Sequence, residues 1–196
     1  MPAEPLIKRT VAFFDGQNLF NAAKEAFGYG FPNHDPICLA TALCGQRGWN
    51  LQQVRFYTGI PAPTSGDRRT QFWNAKLAQL GRRGAFTFTR PLRHGNEKGI
   101  DVRIALDIVS CVLEHRCDVA LVFSQDQDLG EAADEVRKIS QQQGRWVKVA
   151  SAYPVSSTAT NKRGINSTEW IRVERALYDS CIDPRDYLPG RYVSQP

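Results

Sequence analysis

The side chains best placed for chemistry are aspartates at the ends of apolar runs. Val119 to Phe123 is a short apolar run that reads as a strand buried on both faces, and Ser124-Gln125-Asp126-Gln127-Asp128 follows at once. Leu129, Ala132, Ala133, Val136 and Ile139 then recur at helical spacing. Carboxylates at the carboxyl end of a buried strand lie where open α/β sheets hold their ligands. Asp126 and Asp128 equally suit a helix start, where Asp caps free amides, so capping and chemistry are both open for them. Asp15 ends a second apolar run, Thr10 to Phe14, and Asp101 enters the most apolar helical stretch of the chain. Right-handed crossovers would bring Asp15, Asp126 and Asp128 to one rim of a parallel sheet, and the helix entry at Asp101 can share it. Several carboxylates around one point repel unless a divalent cation lies between them, and hard oxygen ligands suit Mg²⁺ or Mn²⁺. Asp107 has two readings, an i, i+4 surface salt bridge with Arg103 or support behind the site.

These residues need elements to position them. Thr10–Asp15 is expected as a first strand, with a helix over roughly 18–27 that Gly28 and Gly30 stop. A second helix over 37–46, a second strand over 53–58, a longer helix ending near Leu80 and a third strand over 85–91 follow. Leu92 to Lys98 reads as a basic loop. The helix from Gly99 to Glu114 is apolar nearly all round, which predicts little exposed face. After the Val119 strand and its helix, 145–150 alternates like a fifth strand at a sheet edge. Residues 154–167 are rich in Ser, Thr, Asn and Gly and predict a mobile loop, with a short sixth strand over 170–173 and a last helix near 175–181. Alternating strands and helices predict a Rossmann-like three-layer α/β sandwich on a mostly parallel sheet of five to six strands. The expected organisation is a lead-in over 1–9, a single domain over 10–183 and an irregular tail over 184–196.

Composition narrows the class. The 196 residues are 42% apolar and 23% charged, an ordinary globular mixture with no apolar run long enough for a membrane helix. The N-terminus lacks the apolar stretch of a signal peptide. An odd set of five cysteines without CxxC spacing argues against a disulfide framework and for a reduced, cytoplasmic protein. The net charge of +5 is a mild excess compatible with a polyanionic partner. Basic residues cluster around Arg68-Arg69, Arg82-Arg83, Arg90 to Lys98 and Lys162-Arg163, outside the apolar settings of the aspartates. Arg69, Arg90, Arg93, His94 and Lys98 are the candidates for phosphate contacts, with an ordinary solvated face as the alternative for each. Tyr57, at the end of the second strand, reads first as a core or rim aromatic, with base stacking as the alternative.

Phe13-Phe14-Asp15-Gly16-Gln17-Asn18, Lys98-Gly99-Ile100-Asp101-Val102 and Ser124-Gln125-Asp126-Gln127-Asp128-Leu129 together resemble the NYN domain, a branch of the PIN-like nuclease superfamily. The resemblance covers about residues 10 to 152. It implies a PIN-like fold and a Mg²⁺- or Mn²⁺-dependent ribonuclease activity. Metal-binding and catalytic acids would be Asp15, Asp101, Asp126 and Asp128. Asn18, Ser124 and Asp107 would stand behind them, with the Asn18 amide holding Asp15 or a water. A homodimer fits too, since PIN-like proteins often pair. Two positions depart from the usual pattern: Gln125 stands where Gly is common and Leu129 where Phe is common, and neither removes a carboxylate.

The expected activity is therefore metal-assisted hydrolysis of phosphodiester bonds, in RNA rather than DNA. A nucleic-acid-binding or regulatory module with little turnover is the alternative. An aspartate-nucleophile phosphatase would want DxD after the first strand, where Asp15-Gly16-Gln17 stands. A dinucleotide enzyme would want GxGxxG there, which is absent.

Overall fold

The computed structural model describes residues 2–31, 33–61, 68–92 and 98–188. In chain order its elements are β1 (Lys8–Asp15), α1 (Gly16–Phe27), α2 (Pro36–Arg47), β2 (Trp49–Ile60), α3 (Arg68–Arg82), β3 (Phe86–Pro91) and α4 (Ile100–Leu113). They continue with β4 (Val119–Phe123), a 3-10 turn at Gln127–Leu129, α5 (Gly130–Gln142), β5 (Lys148–Pro154), β6 (Glu169–Val173) and α6 (Arg175–Asp179). The six strands form one sheet in the order β3-β2-β1-β4-β5-β6, and every pairing is parallel. This is an α/β Rossmann-like sandwich.

The two-residue period of the central strands builds its layers. Ala12 and Phe14 of β1 join Leu121 and Phe123 of β4 in a core with Leu19 and Ala23 of α1, Leu39 and Leu43 of α2 and Leu80 of α3. Val11 and Phe13 turn the other way, with Ala120 and Val122, onto Ile104 and Ile108 of α4 and Val136 and Ile139 of α5. Because β1 pairs with β2 on one side and β4 on the other, its carboxyl end is the point where the strand order reverses. Open α/β sheets leave a crevice there. Asp15 ends β1 at that crevice.

Three expectations need correction. The fifth strand is not an edge: β5 lies between β4 and β6 and is buried from Val149 onward. The polar start that suggested an edge belongs to the connector, where Arg145 bonds the Cys117 and Val112 carbonyls and Asp118. The edge falls to β6, whose Trp170 and Arg172 are exposed while Ile171 and Val173 are buried. Secondly, α4 is not covered all round: Val102, Leu106 and Leu113 are 56%, 59% and 49% exposed. It has more apolar residues than one sheet-facing stripe can bury. Thirdly, the stretch expected to be mobile is tied down: Ser151 accepts the Ile165 amide at 3.0 Å, and Trp170 donates to the Ile165 carbonyl at 2.8 Å. Among the described residues no helix is long and apolar enough to cross a membrane.

Candidate active site

Asp15 is the last residue of β1 and also the N-cap of α1. Its Oδ1 accepts the Asn18 amide at 3.0 Å, and its Oδ2 accepts the Ser124 hydroxyl at 3.2 Å. It is only 6% exposed. That burial pushes its carboxyl up to about 6, against the pull of the two hydrogen bonds, and the charges of Asp126 and Asp101 add to the rise. The tight start of α1 depends on Gly16, where a Cβ would stand 2.8 Å from Phe56 Cζ and 2.9 Å from the Tyr57 carbonyl oxygen.

Ser124 couples the strand ends. Its Oγ also accepts the Asp126 amide at 3.1 Å, and Asp126 Oδ1 in turn accepts the Asp128 amide at 3.1 Å. Asp126 thus caps the 3-10 turn while its charge acts on Asp15, so both roles open at the sequence level are filled by one residue. Asp128 is exposed. Asn18 holds Asp15 through its backbone amide; its side-chain Oδ1 accepts the Gln125 amide at 2.9 Å instead. Asp101 is half-buried in the first turn of α4. Gly99, at φ 72°, caps that helix in the left-handed region that favours glycine.

Among the described residues, no three His, Cys, Asp or Glu side chains are grouped closely enough to hold a metal ion as they stand. The donor chemistry nevertheless fits a hard divalent cation. Asp15 is a buried carboxylate whose ionisation is opposed by burial and by two like charges, and a cation would relieve both.

Asp107 is buried behind this rim. It accepts the Tyr57 hydroxyl at 2.7 Å and pairs with Arg55 at 3.2 Å and Arg103 at 3.1 Å. The expected i, i+4 bridge forms, with its Asp107 end buried and its Arg103 end partly exposed. Tyr57 is fully buried and does not present a face for stacking. Of the basic candidates, Lys98 is exposed three positions before Asp101, and its carbonyl accepts Arg90 Nη1 at 3.3 Å. Arg90 lies over the Phe88 ring at 5.7 Å. Arg69 is exposed in the first turn of α3. Arg93 and His94 lie outside the described residues.

Two features escaped the sequence. Gln125 is buried, and its Nε2 donates to the Asn161 carbonyl at 3.3 Å and the Arg163 carbonyl at 2.8 Å, holding 161–165 against the site. Its departure from the usual Gly was the visible signal. The second is a cavity of about 540 Å³ that opens beside Asp15 at Gly16 and Gln17 and is walled by aromatic side chains. These come from α1, the segment after it, α3 and the C-terminal stretch 185–188, and no local pattern links them.

Among solved structures, a Vibrio parahaemolyticus protein of unknown function is similar at 19% identity, with a TM-score of 0.54 over 86% of this chain and 94% of that one. It shares the fold. A deacetylase triple mutant involved in the teicoplanin biosynthetic pathway matches at 16% identity, over 72% of this chain and 62% of that one, with a TM-score of 0.33, too low to argue from. Comparison with curated proteins gives no match. The family model for the NYN domain matches residues 9–168, which span all three aspartate-bearing strand and helix ends, and the chain therefore belongs to the NYN family of PIN-like nucleases.

Proposed function

We propose that this protein is a Mg²⁺- or Mn²⁺-dependent nuclease that hydrolyses phosphodiester bonds, with RNA as its substrate. One observation carries the reading: Asp15, buried at the switch point of the sheet, has its carboxyl pushed up to about 6 by burial, with Asp126 and Asp101 adding to the rise. Asp15, Asp101 and Asp126 would hold the cation, with Asp128 at the exposed side of the same turn. A bound divalent cation supplies a more acidic water and offsets charge on the scissile phosphate.

The chain's own residues supply the rest. Ser124 and the Asn18 amide fix both oxygens of Asp15, so its orientation is set before substrate arrives. Asn18 and Gln125 hold the end of β4 against α1. Lys98, Arg69 and Arg90 are exposed and would meet backbone phosphates.

The test is cleavage of labelled single-stranded RNA and DNA by the purified protein with Mn²⁺, Mg²⁺ or EDTA. Metal-dependent cutting that favours RNA is the expected result. Binding without cutting under every condition would replace the nuclease with a recognition module.

A further inference from the structure

The cavity beside Asp15 has the make-up of a subsite. Its rings form a connected wall: Phe20 meets Phe31 at 5.5 Å between centroids, Phe31 meets Phe72 at 5.3 Å, and Phe72 meets Trp73 and Tyr187 at 5.5 Å each. All four pairs are edge-to-face, with interplanar angles of 70°, 84°, 81° and 90°, the edge of one ring set on the face of its neighbour. The cavity volume, about 540 Å³, lies within the roughly 300–1,000 Å³ of small-molecule sites.

The wall is held from behind by a buried cation. Lys76 is 3% exposed, donates to the His34 carbonyl at 2.8 Å and to Asn33 Oδ1, and lies 6.0 Å from the Phe72 ring and 5.8 Å from the Tyr187 ring. Tyr187 is fixed further by its hydroxyl, which donates to Asp183 at 2.7 Å. Phe31, in contrast, is 58% exposed at the mouth. Phe31 thus offers ring surface to solvent at the edge of the aromatic wall.

The rim is cationic. Arg68 and Arg69 open α3 there, against Asp186; Arg185 also lines it, but its guanidinium pairs with Asp183 at 3.0 Å and Asp35 at 3.3 Å. Gly16, which follows Asp15 directly at the end of β1, lines the same cavity, so the cavity starts one residue from that strand end, although none of the four aspartates is among its lining residues. Aromatic faces with arginines beside them take unpaired bases of any sequence and follow the phosphate backbone.

Resting on the nuclease reading above, we propose that this cavity holds an unpaired nucleobase next to the scissile phosphate, which makes single-stranded RNA, not duplex, the substrate. The base stacks against Phe31 and Phe72, Arg68 and Arg69 contact the adjoining phosphates, and the amide side chains of Gln17 and Asn21 face its polar edge. A paired base cannot enter without leaving its helix, which costs unstacking.

The test is equilibrium binding of a short fluorescein-labelled single-stranded RNA and of its blunt duplex, in EDTA, to wild type, Phe31→Ala, Phe31→Trp and Phe72→Ala. The single strand should bind roughly ten-fold more tightly than the duplex, and Phe31→Ala should weaken it roughly ten-fold while Phe31→Trp retains it. Phe31→Ala leaves the core alone, so its melting temperature should match wild type. Phe72→Ala should weaken single-strand binding in the same direction. Equal affinity for single strand and duplex, or single-strand binding indifferent to Phe31→Ala, overturns the proposal. Failure of catalysis is read separately: ring-dependent binding without any metal-dependent cut sinks the nuclease and keeps the subsite, whereas cutting indifferent to Phe31 does the reverse.

Discussion

Ser124 joins the two central strands by donating its hydroxyl to Asp15 Oδ2 at 3.2 Å while accepting the Asp126 amide on the same oxygen at 3.1 Å. One small side chain thereby fixes a buried carboxylate on β1 and the first turn beyond β4. The Asp15 carboxylate is held in place but poorly compensated, since burial outweighs its two hydrogen bonds. A site with that character is less stable empty than a neutral one would be, and it gains most when a cation arrives.

Asp15→Asn should therefore stabilise the metal-free protein near pH 7. A carboxyl whose folded pKa lies above its unfolded value binds more protons folded than unfolded between the two, so its ionisation costs stability at higher pH. With Asp15 moved from 3.8 to about 6, the cost is full above about pH 6 and fades as pH falls toward 3.8. At about 1.4 kcal/mol per pH unit, its ceiling is about 3 kcal/mol. Urea unfolding in EDTA at pH 7 and pH 4 checks this. The variant should gain at pH 7, lose that advantage at pH 4, and respond less to added Mn²⁺. A less stable variant at pH 7 would contradict the picture of Asp15.

The fold was legible because each central strand carries its own alternation and each strand end its own punctuation. Phe13-Phe14-Asp15 and Val122-Phe123-Ser124 give both the buried run and the place where it stops. The position of β5 was not legible, because Arg145 and Lys148 look like edge residues until Arg145 is seen bonding the end of α4 and Asp118. Asp107 shared a helix face with Arg103, but its partners Tyr57 and Arg55 lie on β2, a contact that no spacing along α4 predicts. The aromatic cavity draws Phe20, Phe72 and Tyr187 from three distant segments, and only packing brings them together.

Asp107 should prove a positioning residue for the fold of the rim. Asp107→Ala leaves Arg55, 6% exposed, without its carboxylate, and breaking a buried pair from one side costs about 3–5 kcal/mol. Chemical denaturation should show that loss, while the Mn²⁺ concentration needed for half-maximal cleavage by the folded fraction stays near wild type. A large shift in that metal requirement with unchanged stability would place Asp107 at the metal instead.

Gln125→Gly, which restores the residue common in the family, should loosen the stretch it holds. Both side-chain hydrogen bonds, to Asn161 and Arg163, would be lost, and glycine adds backbone freedom. The expected cost is about 1–3 kcal/mol, with faster amide hydrogen exchange confined to residues around Ile165, whose neighbours the glutamine tethers. Unchanged exchange there would mean that Ser151 and Trp170 suffice to hold the segment.

The most direct measurement is the rate of metal-dependent cleavage of single-stranded RNA by wild type beside Asp126→Asn. The amide keeps the size of the side chain and its capping oxygen for the Asp128 amide, and removes only the charge that acts on Asp15. The wild-type rate should need Mn²⁺ or Mg²⁺ and vanish in EDTA, and kcat/KM should fall by at least about 100-fold, or about 2.7 kcal/mol, in the variant. Cleavage at equal rates by both proteins, or cutting that persists in EDTA, would contradict this.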